Sequence, residues 1–210
     1  MGELFDKLAN YGNSGIYPFH MPGHKRQKTV DFNPYKIDIT EIEGFDNLHH
    51  AEGVLLEAQK KAEKLYGSEE SHFLINGSTA GILSAVSACA KKTVLIARNC
   101  HKAVYHAALI RNLDVYYVYP EIQEEFMLNG GINPADVERS LEEHPEIEAV
   151  VITSPTYDGI VSDVKRIAEI AHAHKKPLIV DEAHGAHFRY HKGFPVSALD
   201  LGADVVIQSL

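Results

Sequence analysis

The residue pattern predicts an α/β fold: a mainly parallel sheet with helices on both faces, preceded by an irregular N-terminal arm. Two observations carry this. Short apolar runs such as Val94-Leu95-Ile96-Ala97 and Ala149-Val150-Val151-Ile152 are continuous rather than alternating, as strands buried on both faces must be. From about residue 51 these runs alternate with helical stretches, the order of a sheet built from strand–helix–strand units.

The elements follow in turn. Residues 1 to about 50 are rich in Gly, Pro, Asn and His, have no sustained period, and read as an arm outside the sheet. Ala51 to Tyr66 is helical: Val54, Leu55, Ala58, Ala62 and Leu65 make one stripe, and Gly67 stops it. His72-Phe73-Leu74-Ile75 is expected as a first short strand, followed after Asn76-Gly77-Ser78 by a small-residue helix from Thr79 to Ala90. Val94 to Ala97 is a strand, Lys102 to Arg111 a helix, and Val115 to Tyr119 a strand. A longer connection through Gly130-Gly131 leads to Asn133-Pro134, a helix entry with proline in the first turn. Ala149 to Thr153 is a strand, Val164 to His174 a helix and Leu178 to Val180 a strand; Val205-Val206-Ile207 ends the series.

Composition narrows the function. With 45% hydrophobic and 23% charged residues in 210, the chain can bury a sizeable core and is not disordered. A net charge of -9, with Lys25-Arg26 and Lys28 as the nearest basic group, excludes a nucleic-acid partner. The two cysteines, Cys89 and Cys100, are no disulfide framework. Met1-Gly2-Glu3-Leu4-Phe5-Asp6 does not resemble a signal peptide, and no stretch reaches the ~18 apolar residues of a membrane helix. A cytoplasmic location and no membrane partner are expected.

In parallel sheets, ligands bind beyond the carboxyl ends of the strands, which directs attention to 76–79, 98–102, 154–158, 181–184 and 208–210. Asn76-Gly77-Ser78-Thr79 could cradle a phosphate with glycine, hydroxyls and free amides at a helix start, or be an ordinary helix cap. His101 could stack on an aromatic ligand, act as acid or base, or cap the next helix. In Ser154-Pro155-Thr156-Tyr157-Asp158-Gly159, turn chemistry accounts for Pro155 and Asp158-Gly159 but does not require Thr156 and Tyr157.

The richest string is Asp181-Glu182-Ala183-His184-Gly185-Ala186-His187, because an acid ending a buried strand needs a partner. Asp181 could pair with a protonated heterocycle, or bind a metal with His184 and His187. Asp181-Glu182-Ala183-His184 could also be a helicase magnesium box. The helicase reading fails, since a nucleotide hydrolase needs a Gly-Lys pair that the chain lacks. The metal reading stays open as the lesser alternative; His172 and His174, two apart on a helix, do not face alike.

Together these strings resemble one family, the pyridoxal-phosphate-dependent ornithine/lysine/arginine decarboxylases, with their aspartate-aminotransferase type of fold. The resemblance rests on Phe19-His20-Met21-Pro22-Gly23-His24-Lys25, Asn76-Gly77-Ser78-Thr79, Asn99-Cys100-His101-Lys102, Ser154 to Gly159 and Asp181 to His187, in the family's order. It implies that residues 51–210 are the major domain that binds pyridoxal 5'-phosphate, and 1–50 an N-terminal arm. Ser78 and Thr79 match the phosphate-binding turn and Ser209 a second phosphate contact. His101 matches the residue stacked on the pyridine ring, Asp181 the carboxylate paired with the ring nitrogen, and His184 a neighbour of the cofactor; Thr156 and Tyr157 lie in the cofactor-side loop. No metal is implied.

The implied activity is decarboxylation of lysine, arginine or ornithine to a polyamine-type amine, in a homodimer or higher homo-oligomer. Another reaction on this fold, by an aminotransferase or aldolase-like lyase, is the alternative, as is a non-catalytic module; the Met21-Pro22-Gly23-His24 string favours the decarboxylase. The family's Schiff-base lysine lies in a Ser-x-His-Lys string after the final strand, which here begins as Ser209-Leu210. The expectation is therefore a chain that stops short of that lysine and lacks the smaller C-terminal domain. Lys102, which also follows a histidine, reads as a surface residue.

Overall fold

The computed structural model describes residues 10–17, 42 and 44–209. The chain forms two compact units, Met1–Asp46 and Asn47–Leu210, and every strand among the described residues belongs to the second. The Phe19 to Lys25 string lies outside the described residues.

The second unit opens with helix α1, Val54–Tyr66, which ends where Gly67 turns left-handed at φ 68° and donates its N–H to the Glu63 carbonyl. Helix α2, Gly77–Cys89, follows. Between them the expected strand at His72–Ile75 does not form: Phe73, Leu74 and Ile75 are all exposed, and no strand pairs with them. A four-residue apolar run cannot by itself distinguish strand from loop. Here Leu74 folds back against α2, so close that a Cβ on Gly81 would meet its Cδ1 at 2.7 Å.

Five strands then make the sheet: β1 (Thr93–Ala97), β2 (Asp114–Val118), β5 (Val150–Thr153), β6 (Leu178–Asp181) and β7 (Val205–Ile207). Their order is β2-β1-β5-β6-β7, and all four pairings are parallel. Helices α3 (Lys102–Arg111), α4 (Pro134–Glu143) and α5 (Val164–Ala173) connect them. Asn133 and Asp163 accept backbone N–H bonds at the starts of α4 and α5, and Pro134 sits in the first turn of α4.

Successive buried residues of the central strands go to opposite faces, so the sheet has two apolar faces. Leu95, Ala97, Val150, Ile152, Leu178 and Val180 pack under α4 and α5. Val94, Ile96, Val151, Ile179 and Ile207 pack under α2 and α3. This is the α/β fold, helices on both faces, that continuous apolar strands require.

The connection through Gly130-Gly131 contains an unexpected antiparallel hairpin, β3 (Pro120–Gln123) with β4 (Leu128–Ile132). Its strands are largely exposed, with only Gly130 and Ile132 buried, so the segment shows no apolar period.

The order of strands creates a reversal. From β1 the chain moves outward to β2, then returns to the other side of β1 as β5. The connections beyond β1 and β5 diverge there, leaving a crevice at the carboxyl ends where open parallel sheets take their ligands.

Truncating Ile152, which is fully buried in the sheet, should cost about 2–5 kcal/mol of unfolding free energy. Ile122→Ala on the exposed hairpin should cost within about 0.5 kcal/mol. Denaturant titration of both variants checks the assignment of the core.

Candidate functional site

Asp181 is the last residue of β6, level with Thr153 of β5 and Ile207 of β7. Its side chain is 4% exposed, and its Oδ1 accepts one hydrogen bond, from the Ala183 N–H at 3.2 Å. Burial pushes the carboxyl above its ordinary pKa, opposed by the Ala183 N–H and by the charges of His101 and His184. The sheet thus brings Asp181, His101 and His184 within electrostatic reach of one another, at the carboxyl ends of β1 and β6.

His101 occupies the loop after β1. Its Nδ1 accepts the Ala103 N–H at 3.2 Å and caps α3, while the ring remains exposed. The capping alternative therefore holds, and it fixes the ring's attitude without covering it. His184 is exposed and meets the Tyr157 ring edge-on at 5.4 Å. Thr156 is buried; its Oγ1 accepts the Ile160 N–H and its own N–H reaches the Ile160 carbonyl, so it closes the 156–160 loop that presents Tyr157.

Ser78 and Thr79 sit in the first turn of α2, half-buried and exposed respectively. Asn76 makes no side-chain cap there, the turn has no acidic residue, and Gly77 takes φ 66° with open space where a side chain would project. The first amides of the helix are left for other partners. A Cβ on Gly81 would lie 3.1 Å from Ile207, the last residue of β7. That contact sets the start of α2 level with the strand ends. Ser209 is exposed, two residues beyond β7.

Other groups at this edge were not singled out by the sequence. Asn99 Oδ1, beyond β1, and Thr153 Oγ1, ending β5, are buried without a hydrogen-bond partner, one on each side of the reversal. A buried polar atom left unpaired costs about 1–3 kcal/mol, so both call for a partner. Glu182 is 1% exposed and accepts from Ser197 Oγ, the Ala198 N–H and Gln208 Nε2. The signal that could have found it is a second acid directly after an apolar strand. Arg98 lies against the Tyr105 and Tyr117 rings, bonded to the Tyr105 hydroxyl at 2.6 Å.

His187 faces the rings of Phe188 and Phe194. Among the described residues no group of three or more His, Cys, Asp or Glu is arranged to hold a metal ion. His172 pairs with Asp204 at 2.9 Å, and Asp204 lies at the amino end of β7, away from the site. Burial raises the Cys100 thiol to about 11, which keeps it protonated and unreactive at neutral pH.

A parallel sheet with a strand reversal, an uncapped helix start and a buried acid at one edge define a three-layer α/β protein. The chain belongs to the Orn/Lys/Arg decarboxylase family: residues 3–209 match the family's major domain.

Among relatives, an uncharacterized protein YaaO of Bacillus subtilis is 40% identical, over 98% of this chain and 45% of its own length. An arginine decarboxylase of Bacillus cereus is 33% identical, over 99% of this chain and 47% of its own. An inducible lysine decarboxylase of Escherichia coli is 30% identical over 86% and 28%. The chain thus spans less than half the length of these relatives. A SepCysS–SepCysE N-terminal domain complex superposes with TM-score 0.61 at 19% identity, covering 73% of this chain and 41% of that one. The pyridoxal-5'-phosphate dependent protein YhfS of Escherichia coli gives 0.56 at 11%, covering 72% and 38%. At such identities the likeness is one of fold. Among the described residues no helix is long and apolar enough to cross a membrane.

Because its folded pKa is raised, Asp181 stabilises the cofactor-free fold fully only below its unfolded pKa of about 3.9, and that contribution is lost as pH rises through the folded value. Asp181→Asn should therefore raise the unfolding temperature of cofactor-free protein at pH 7, with the gain vanishing in acid. Thermal unfolding at several pH values checks the sign.

Proposed function

We propose that this chain is the cofactor-binding part of an enzyme that decarboxylates a basic amino acid (arginine, lysine or ornithine) with pyridoxal 5'-phosphate. The observation that carries the reading is Asp181: a carboxyl buried at the strand ends, short of hydrogen-bond donors and facing two histidines. Family membership and the arginine and lysine decarboxylases among the relatives support it.

The donor set fits the cofactor. A protonated pyridine nitrogen supplies the cation that Asp181 lacks, and a phosphate suits the uncapped start of α2 at Ser78 and Thr79, with Ser209 nearby beyond β7. The unpaired oxygens of Asn99 and Thr153 offer two further acceptors at the same edge. Bound there, pyridoxal 5'-phosphate supplies an electron sink for the bond pair released at the substrate's α-carbon.

The chain's own residues do the rest. Asp181 holds a proton on the ring nitrogen by Coulomb attraction, strengthened by its burial. His101, its ring fixed by the cap to Ala103, would lie against the cofactor ring and would hold or pass a proton through its Nε2. His184, braced by Tyr157, and Thr156, which shapes the same loop, would hold the cofactor from the neighbouring loops. Lys102 is exposed at the first position of α3. The activity proposed is that of a protein of the relatives' length, in the cytoplasm and as a homodimer or higher homo-oligomer.

Carbon dioxide release from arginine, lysine and ornithine, measured on full-length protein, tests the reading and selects the substrate. Asp181→Ala should lower kcat by about 100-fold or more, the size expected for losing a preorganised electrostatic partner. Absence of release from all three substrates by cofactor-saturated protein would overturn it.

A further inference from the structure

We propose that Glu182 is a positioning residue: through Gln208 it holds the end of β7, and with it Ser209 and the start of α2, at a set distance from Asp181. The proposal rests on the cofactor reading above and deepens it.

Glu182 is the least exposed acid of the site at 1%, and its three donors come from two separate stretches of chain. Ser197 Oγ at 2.8 Å and the Ala198 N–H at 2.6 Å belong to the segment before β7; Gln208 Nε2 at 2.7 Å comes from just after it. The backbone adds a fourth tie, from the Glu182 N–H to the Ile207 carbonyl at 2.8 Å. One carboxylate thus grips β7 on both sides.

Stability alone does not call for a charge here. An apolar side chain of similar volume generally stabilises a buried site as well or better, because an ionised group must be desolvated. A carboxylate with three directed donors provides fixed direction instead. Of the five sheet strands β7 most needs it: it has three residues, Val205 and Val206 are only half-buried, and it pairs with β6 alone. It nevertheless carries Ser209 two residues on, and Gly81 of α2 rests on its last residue.

A slip of β7 along β6 would therefore displace Ser209 and the Ser78-Thr79 turn together, while Asp181 stayed in place. A rigid ligand whose cationic ring nitrogen and phosphate lie a fixed distance apart cannot follow such a slip, so the protein must hold that spacing itself. Successive residues of an extended strand point to opposite sides, so Glu182 can serve as this tie without competing for the ligand that Asp181 faces.

The test uses full-length protein stripped of cofactor, with equilibrium binding of pyridoxal 5'-phosphate and of pyridoxal, which lacks the phosphate. Gln208→Ala should weaken pyridoxal 5'-phosphate binding about tenfold, the loss expected for a broken bond to a charged group. Pyridoxal affinity should change less than about twofold, because the ring end is untouched. Glu182→Gln should stay within about threefold of wild type for both ligands, since the Gln208 amide can turn to accept. Glu182→Ala, if it folds, should match Gln208→Ala. Equal weakening of both ligands, or undiminished pyridoxal 5'-phosphate binding in Gln208→Ala, would overturn the positioning role while leaving the cofactor reading intact. Failure of wild-type protein to bind pyridoxal 5'-phosphate would overturn both.

Discussion

Asp181 is buried at the end of a central strand with one hydrogen bond, and that arrangement constrains everything around it. An ionisable group in such a place is costly unless it meets a cation or surrenders its charge. The surrounding architecture supplies a route to the first outcome. Parallel strands deliver their carboxyl ends to one edge, and the strand reversal between β1 and β5 opens that edge. His101 and His184 bias the acid toward its ionised form without neutralising it.

Two carboxylates adjacent in sequence carry opposite burdens. Asp181 is short of donors, while Glu182 next to it takes three from the protein itself. The second is satisfied from inside the protein; the first is not. The same division runs through the rest of the edge. The Thr156 and Ser154 hydroxyls are used in closing the 154–162 loop, whereas Asn99 and Thr153 offer oxygens that no neighbour meets. Satisfied and unpartnered polar groups are interleaved along the strand ends.

Much of this could be read from residue order, and the limits have physical causes. The apolar runs at 94–97, 149–153 and 205–207 were legible as strands because each recurs between helical stretches, the order that strand–helix–strand units impose. The Lys102–Arg111 helix and the Asn133-Pro134 entry were legible because capping and proline chemistry are local. The run at 72–75 misled, because whether four apolar residues pair into a sheet depends on a neighbouring strand that local sequence cannot reveal. The β3–β4 hairpin was illegible for the converse reason: its residues are mostly exposed, so burial wrote no period into them.

The site divides along the same line. Its chemical inventory (hydroxyls at the Ser78-Thr79 helix start, an imidazole at His101, an acid at Asp181) was present in the residues and their order, because each needs only a strand end or helix start to be recognisable. Their convergence was not, since it depends on strand order, and β5 inserting between β1 and β6 is a consequence of packing over long sequence separations. Nor could the sequence separate the acid that awaits a partner from the acid already satisfied. Asp181 and Glu182 are neighbours of like charge and similar size, and only the placement of Ser197, Ala198 and Gln208 in space tells them apart.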